Sequence, residues 1–344
     1  PKNYPTCSPS IFKGKISLII PFRNESANLD RLSDELREII HLPIEILLVD
    51  DHSEDGSFEG LSNLLEDVEP VVLLKSPGIG KKAALDFGIS QANGQLVATS
   101  DADCTFPKNW LEKMAIPFES PIVQLVAGPV MSKREDSGFL QRFQQLDWFS
   151  ILLLTQFSFW RKQPLMCSGA NLVFRKSAFV EVEGYSGNEY LASGDDEFLL
   201  KKISRKFGRG SCVYLPFKEN LVITSPQSSW KDLLSQRVRW AGKWKAHRSF
   251  SHSASAILTL VFQLAWLSSF FLTFHGWEGV SLLVLIWVIK IGVEKSSLGR
   301  VGRSLGIDSS WSDFILTGLV HPLYVLGVAI GTVFLKVNWK GRSQ

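Results

Sequence analysis

The chain has 344 residues, enough for about two domains, and 45% of them are hydrophobic, with 23 Phe and 11 Trp. A formal charge of +3 excludes a nucleic-acid binder with a broad basic face. The four cysteines, Cys7, Cys104, Cys167 and Cys212, form no C-x-x-C pair and read as reduced thiols, not as a disulfide frame or zinc site.

Residues 1–14 hold three prolines and read as a linker. The sequence starts at Pro1, so an upstream signal or membrane helix is left open as an expectation. Lys15 to Pro21 is a branched apolar run, as expected of a strand buried on both faces, and Phe22-Arg23-Asn24-Glu25 follows as a loop. Asn28 to Ile40 has helical spacing. A second strand, Ile44 to Val49, runs into Asp50-Asp51-His52-Ser53, and Glu54 to Ser57 reads as a turn and helix start. A third strand spans Pro70 to Leu74. Gly78-Ile79-Gly80-Lys81-Lys82 lacks the spacing and the Ser or Thr of a P-loop, which excludes an ATPase reading. A helix over Lys81 to Gln91 leads to the strand Gln95 to Thr99, which ends in Ser100-Asp101-Ala102-Asp103. Strand alternation predicts that Asp101 and Asp103 point to one side, where two carboxylates suit a hard divalent cation. The order of elements predicts an α/β domain with a mainly parallel sheet, and ligands of such sheets bind beyond the carboxyl ends of the strands. His52 reads as a solvated turn residue.

Val123 to Val130 reads as a strand. Phe139 to Trp160 is a long apolar and aromatic helix, either a core helix or one lying in a membrane interface. Ser168 to Asn171 is a small-residue turn before the strand Leu172 to Phe174. Asp195-Asp196-Glu197 begins a helix; these acids either cap it or include a general base whose pKa is raised by crowding. Trp230 to Lys245 has helical spacing that puts Gln236, Arg239 and Trp240 on one face, a set suited to a diphosphate or sugar. Basic residues from Lys231 to Arg248 suit the cytoplasmic edge of a membrane.

The tail is apolar. Ser255 to Phe274 carries no formal charge and spans about 30 Å as a helix. A second segment, 277–293, contains Lys290, which must snorkel. A third, 314–335, contains His321-Pro322. The stretch Lys295 to Arg303, with Lys295, Arg300 and Arg303, reads as a cytoplasmic loop. A third crossing would put Lys336, Lys340 and Arg342 outside, so the parity of the last segment stays open. The expected organisation is therefore a domain over 15–250 and a membrane domain over 251–344.

These motifs resemble the family 2 glycosyltransferases, in particular the membrane-attached inverting type that includes cellulose, chitin and hyaluronan synthases and ceramide glucosyltransferases. The resemblance covers about residues 15–250. Pro21-Phe22-Arg23-Asn24-Glu25 is similar to the family's first-strand loop, Val49-Asp50-Asp51-His52-Ser53 to its nucleotide motif and Asp101-Ala102-Asp103 to its D-x-D. Asp195-Asp196 is similar to its E-D, with Asp in place of Glu, and Gln236-Arg237-Val238-Arg239-Trp240 to its Q-x-x-R-W. The resemblance implies a GT-A fold and a nucleotide-sugar donor, UDP-linked first of all. Donor contacts fall to Pro21, Arg23, Glu25, Asp51, Lys81, Asp101 and Asp103. Asp103, helped by Asp101, would hold Mg²⁺ or Mn²⁺. Asp196 would be the base, and Asp195, Gln236, Arg239 and Trp240 would face diphosphate and acceptor. The acceptor is expected to be a lipid or saccharide at the cytoplasmic face of the cell membrane, and the alternative is a catalytically degenerate nucleotide-sugar binder of a membrane assembly. A metal phosphoesterase would instead release sugar phosphate or nucleoside monophosphate.

Overall fold

The structure, a computed structural model, describes residues 14–40, 44–135, 138–187, 194–242, 250–334, 338–339 and 342–343. Its contacts divide the chain into two compact units, Pro1–Met131 with Thr155–Ser225, and Ser132–Leu154 with Pro226–Gln344.

The first unit is built on a seven-stranded sheet. Strands β1 (Ile16–Phe22) and β2 (Ile44–Asp50) are buried at every residue, which is why both read as unbroken apolar runs. With β3 (Val71–Lys75) and β4 (Leu96–Thr99) they form a parallel set in the order β3-β2-β1-β4. Helices α1 (Leu29–Ile39), α2 (Ser57–Leu64) and α3 (Lys81–Gln91) make the crossovers. Helix α3 lies close on the sheet at Gly88, where a Cβ would stand 2.7 Å from Ile19 Cγ2. Because the four strands run the same way, the loops after Phe22, Asp50, Lys75 and Thr99 open at one edge.

Beyond β4 the sheet turns mixed. The short β5 (Cys104–Thr105) and helix α4 (Trp110–Ala115) precede β6 (Leu125–Ala127) and β7 (Val130–Ser132). The single strand expected over Val123 to Val130 is thus two, interrupted at Gly128-Pro129, because proline has no N–H for a ladder. Strand β8 (Leu172–Arg175) runs antiparallel between β4 and β6, and β9 (Cys212–Tyr214) pairs parallel with β6. Strand β10 (Val222–Thr224) joins β5 and β7 in a second, three-stranded sheet. Helices α6 (Lys176–Glu181) and α7 (Asp195–Phe207) cover this half.

Helix α5 (Phe139–Trp160) contributes its part through Leu154 to the second unit and the remainder to the first. The second unit also holds α8 (Trp230–Ala241), α9 (Phe250–Ser268), α10 (Gly276–Ser304), α11 (Trp311–Phe334) and a short pairing of β11 (Asn338–Trp339) with β12 (Arg342–Ser343). The boundary expected at residue 250 is not where contacts divide the chain. Phe143 of α5, Leu233 of α8 and Tyr324 of α11 share one buried cluster, which draws α8 and the start of α5 to the C-terminal helices.

Among the described residues, two stretches are long and apolar enough to cross a membrane, Ile257–Ser304 and Trp311–Phe334. The first contains α9, a 3₁₀ segment over Ser269–His275 and α10, and Trp266 meets Trp287 edge-on at 6.1 Å, so the two helices fold back on each other. Two expectations fail here. Residues 295–303 are not a loop but the last turns of α10, since Lys, Arg and Ser are tolerated in a helix and the break comes only at Leu305-Gly306, where Gly306 has φ +76°. Lys290 does not snorkel. It is buried, paired with Glu294 at 2.7 Å, and its ammonium lies over the rings of Trp266 and Trp287.

Candidate functional site

The first unit gathers the expected residues at the open edge of its parallel strands. Asp51 follows β2 and is 1% exposed. Its N–H donates to Phe22 O at 2.8 Å, which ties the ends of β1 and β2 together. Its Oδ1 accepts the N–H of Gly80 at 2.7 Å. Gly80 stands just before α3 at φ +99°, a conformation that glycine adopts without steric cost. Asp51 therefore fixes the start of α3 and with it Lys81. Pro21 lies in β1, in register with Val49. Arg23 is buried and faces inward: it donates to Asp51 O at 2.8 Å, to His52 O at 2.6 Å and to Glu54 Oε1 at 3.2 Å. In this geometry it braces the loop that carries Asp51. Glu25 holds its own loop, donating its N–H to Ser57 Oγ and accepting from Asn28. His52 is exposed, its Nε2 3.2 Å from Gly78 O.

Asp101 and Asp103 depart from the expectation. Strand β4 ends at Thr99, and both acids lie in a turn closed by the Cys104 N–H on Asp101 O at 3.1 Å. Strand alternation does not apply to them, and they have different partners. Lys81 Nζ meets Asp101 Oδ1 at 2.5 Å, and Thr224 Oγ1 donates to Asp103 Oδ2 at 2.7 Å. While their backbones stay with β1, Thr99 and Ser100 send their side-chain hydroxyls sideways, Thr99 Oγ1 to Gly169 O at 2.7 Å and Ser100 Oγ to Ala170 O at 2.8 Å, which ties the turn to the segment before β8. Arg31 of α1 supports it from behind through Ala102 O.

That sideways link reaches Asp196. The Gly169 N–H donates to Asp196 Oδ2 at 2.8 Å, and the Glu197 N–H to Oδ1 at 2.7 Å. Asp195 and Asp196 open α7 after Gly194, which has φ +94°. Two N–H donors and a helix N-terminus favour the anionic carboxylate. Asn171 anchors the turn from within, accepting from Trp110 Nε1 and donating to Pro129 O and Asn220 O. The sequence pointed to the small-residue turn, but nothing in it marked Arg31, Thr99, Ser100 or Thr224, which come together only through the fold.

The charges interact. Burial alone would lower the Lys81 pKa, but Asp101, then Asp195 and Asp196, outweigh it and raise it above the ordinary lysine value. Lys81 thus links the D-x-D turn to the start of α7, and it offsets the acid crowding expected there. Burial first, and then Asp101, raise the Asp103 carboxyl above the ordinary range, with Glu25 adding and Thr224 opposing. Among the described residues no three His, Cys, Asp or Glu side chains gather as a ready-made metal cage. The arrangement still fits a Mg²⁺ or Mn²⁺ ion of the kind held by one or two carboxylates and by substrate phosphates: Asp101 and Asp103 lie in one turn, and the burial and like charge that push the Asp103 carboxyl up are what a bound cation would offset. Cys104, Cys167 and Cys212 are free thiols, and Cys7 lies outside the described residues. Burial, then Asp103, pushes the Cys104 thiol well up.

Gln236, Arg239 and Trp240 lie on α8, in the second unit, and all three are half-buried. Within that unit the deeply buried member of the motif is Arg237. It pairs with Asp147 of α5 at 2.7 Å and lies over the rings of Trp240 and Trp148, and Gln236 Oε1 accepts from it.

Residues 17–182 match the family description glycosyl transferase family 2. This segment belongs to that family. The chain is 32% identical over 130 residues to an undecaprenyl-phosphate 4-deoxy-4-formamido-L-arabinose transferase of Yersinia enterocolitica, covering 36% of this chain and 39% of that protein. The chain thus spans well under half the length of these curated relatives. It is 24% identical over 229 residues to the glycosyltransferase AglE of Haloferax volcanii, covering 65% of this chain and 71% of that protein. Among solved structures, the mannosyltransferase PcManGT of Pyrobaculum calidifontis, in complex with GDP-Man and Mn²⁺, aligns at a TM-score of 0.60 with 17% identity, over 95% of this chain and 88% of that one. The shared fold is of the GT-A type.

Proposed function

We propose that this chain is an inverting glycosyltransferase that moves a sugar from a nucleoside-diphosphate donor to a lipid-phosphate acceptor at a membrane. One observation carries the reading: Asp51, Lys81, Asp101, Asp103 and Asp196 meet at one edge of a parallel sheet, linked by Lys81 and by the bonds from Thr99 and Ser100 to the Gly169 turn.

In this reading Asp51 faces the nucleobase, and Pro21 and Lys81 flank the nucleotide. Asp103, with Asp101 beside it, holds the divalent ion, which when bound supplies positive charge to the departing diphosphate. Asp196 faces the attacking phosphate oxygen of the acceptor and takes the proton that the phosphate monoanion still carries, as that oxygen bonds to the anomeric carbon. The bond from that carbon to the diphosphate oxygen breaks, and its electron pair leaves with the nucleoside diphosphate. One base and one displacement give inversion. Gln236, Arg239 and Trp240 enter the proposal through the resemblance alone. The acceptor class is supported by the names of the Yersinia relatives, a metal by the Mn²⁺ of the Pyrobaculum structure and the membrane by the two apolar stretches, with the catalytic unit assigned to the cytoplasmic side.

The test is calorimetric titration of the detergent-solubilised chain with UDP and then GDP, with and without Mn²⁺, alongside Asp103→Ala. Metal-dependent binding of one nucleotide, weakened in the variant, is expected. Failure of both nucleotides to bind a folded protein would remove the donor. Release of nucleoside diphosphate in the presence of polyprenyl phosphate then separates enzyme from degenerate binder. Asp196→Asn should bind the donor but turn over at least about 100-fold more slowly.

A further inference from the structure

The last turns of α5, within the first unit, present two different faces. Thr155, Ser158 and Phe159 are buried, and Phe159 packs on Tyr214 of β9 with ring centroids 5.4 Å apart. Opposite them, Phe157 is 54% exposed and Trp160 73% exposed, and the two rings lean on each other at 5.8 Å. The chain leaves the helix through Arg161, Lys162 and Gln163, all exposed, with Lys162 turning at φ +56°. A paired aromatic tip directly followed by a cationic collar is not what a core helix needs, since its core-facing residues are already packed. It matches the chemistry of a bilayer interface, where amphipathic rings settle at headgroup depth and Arg and Lys reach lipid phosphates. Among the described residues the same chain carries two stretches long and apolar enough to cross a membrane, which makes a bilayer the occupant to test for this tip.

We propose that the Phe157–Lys162 tip of α5 is a membrane-docking element of the first unit, inserting its two rings into an anionic bilayer while Arg161 and Lys162 engage lipid phosphates. This decides between the two readings that the sequence left open for α5, and it does not depend on the reaction the chain catalyses. The experiment uses the full chain in nanodiscs of phosphatidylcholine with phosphatidylglycerol, purified away from free protein. A photoreactive benzoylphenylalanine replaces Phe157, or Glu59 on the exposed face of α2 as a water-facing control, or Ile257 in the apolar stretch as a lipid-facing one. After irradiation, lipid adducts are counted by mass spectrometry. The expected yield at 157 is within about fivefold of that at 257 and far above that at 59. A yield at the level of 59, or an adduct at 157 only to protein, overturns the docking element. Arg161→Glu with Lys162→Glu should lower the yield at 157 several-fold in the anionic discs. An unchanged yield would overturn the role of the collar.

Discussion

Asp101 beside Lys81 and Asp147 beside Arg237 are both carboxylates held by a cation, at 2.5 Å and 2.7 Å, one in each unit. Their surroundings differ in kind. Asp147 and Arg237 are both closed off; burial would raise the Asp147 pKa, but Arg237 and then His321 outweigh it and hold the carboxyl below the usual range. The guanidinium also lies over the rings of Trp148 and Trp240, which meet each other edge-on at 5.5 Å. Asp101 and Lys81 stay partly open to solvent, with Asp103, Asp195 and Asp196 close enough to act on them. A closed pair has nothing to exchange and serves packing. An open pair surrounded by surplus acid can trade partners with a diphosphate and its cation at low cost.

The comparison breaks most sharply if the two sites are swapped in assay. Asp147→Asn leaves Arg237 buried and uncompensated, and should lower stability by about 3–5 kcal/mol. Thermal unfolding in detergent reads this, and the double variant Asp147→Leu with Arg237→Met should recover most of the loss. Asp196→Asn should do the reverse, costing only the one N–H bond that its amide nitrogen cannot accept, about 1–2 kcal/mol, while nucleoside-diphosphate release collapses. A stable Asp147→Asn protein would mean that the closed pair is a spectator.

How much of this could be read in advance follows the same division. Strands β1 and β2 were legible because burial on both faces leaves only apolar residues, and α1, α3 and α5 because their spacing is helical over many residues. The acids were legible as residues but not as geometry. The D-x-D looked like the end of a strand because nothing near it in sequence shows that Thr99 and Ser100 bond to a turn seventy residues on. Thr224 on Asp103 and Arg237 on Asp147 are likewise long-range pairings without a local signature. That contacts group α8 with the C-terminal helices was not legible because α8 looks like a basic juxtamembrane helix in sequence, whereas its Leu233 is buried with Phe143 and Tyr324.

A third carboxylate sharpens the contrast through pH. Glu45 of β2 is buried, which opposes its charge, yet hydrogen bonds from Ser17 Oγ at 2.6 Å and from Asn93, with Lys15 at 3.0 Å, lower its pKa to about 2. A depressed carboxylate contributes stability that is fully present above its unfolded value and is lost as pH falls through the folded one. Between pH 6 and pH 3 the wild type should therefore lose about 2 kcal/mol more than Glu45→Gln, whose curve should be flatter. Parallel curves would show that the Ser17–Glu45–Asn93 link does not carry charge-dependent stability.

The smallest expected effect probes the joint between scaffold and site. Gly80 has open space where a Cβ would go, so Gly80→Ala meets no clash, but φ +99° disfavours any L side chain. Its N–H is what Asp51 holds, so relaxing φ would shift both Asp51 and the first turn of α3 bearing Lys81. Global stability should fall by only about 1–2 kcal/mol. Nucleotide affinity should fall further than that strain alone requires, because the strain is relieved by giving up the Asp51 bond. Equal losses in stability and in affinity, measured by melting and by calorimetry on the same preparation, would show that the turn is ordinary scaffold and that Asp51 holds its place without it.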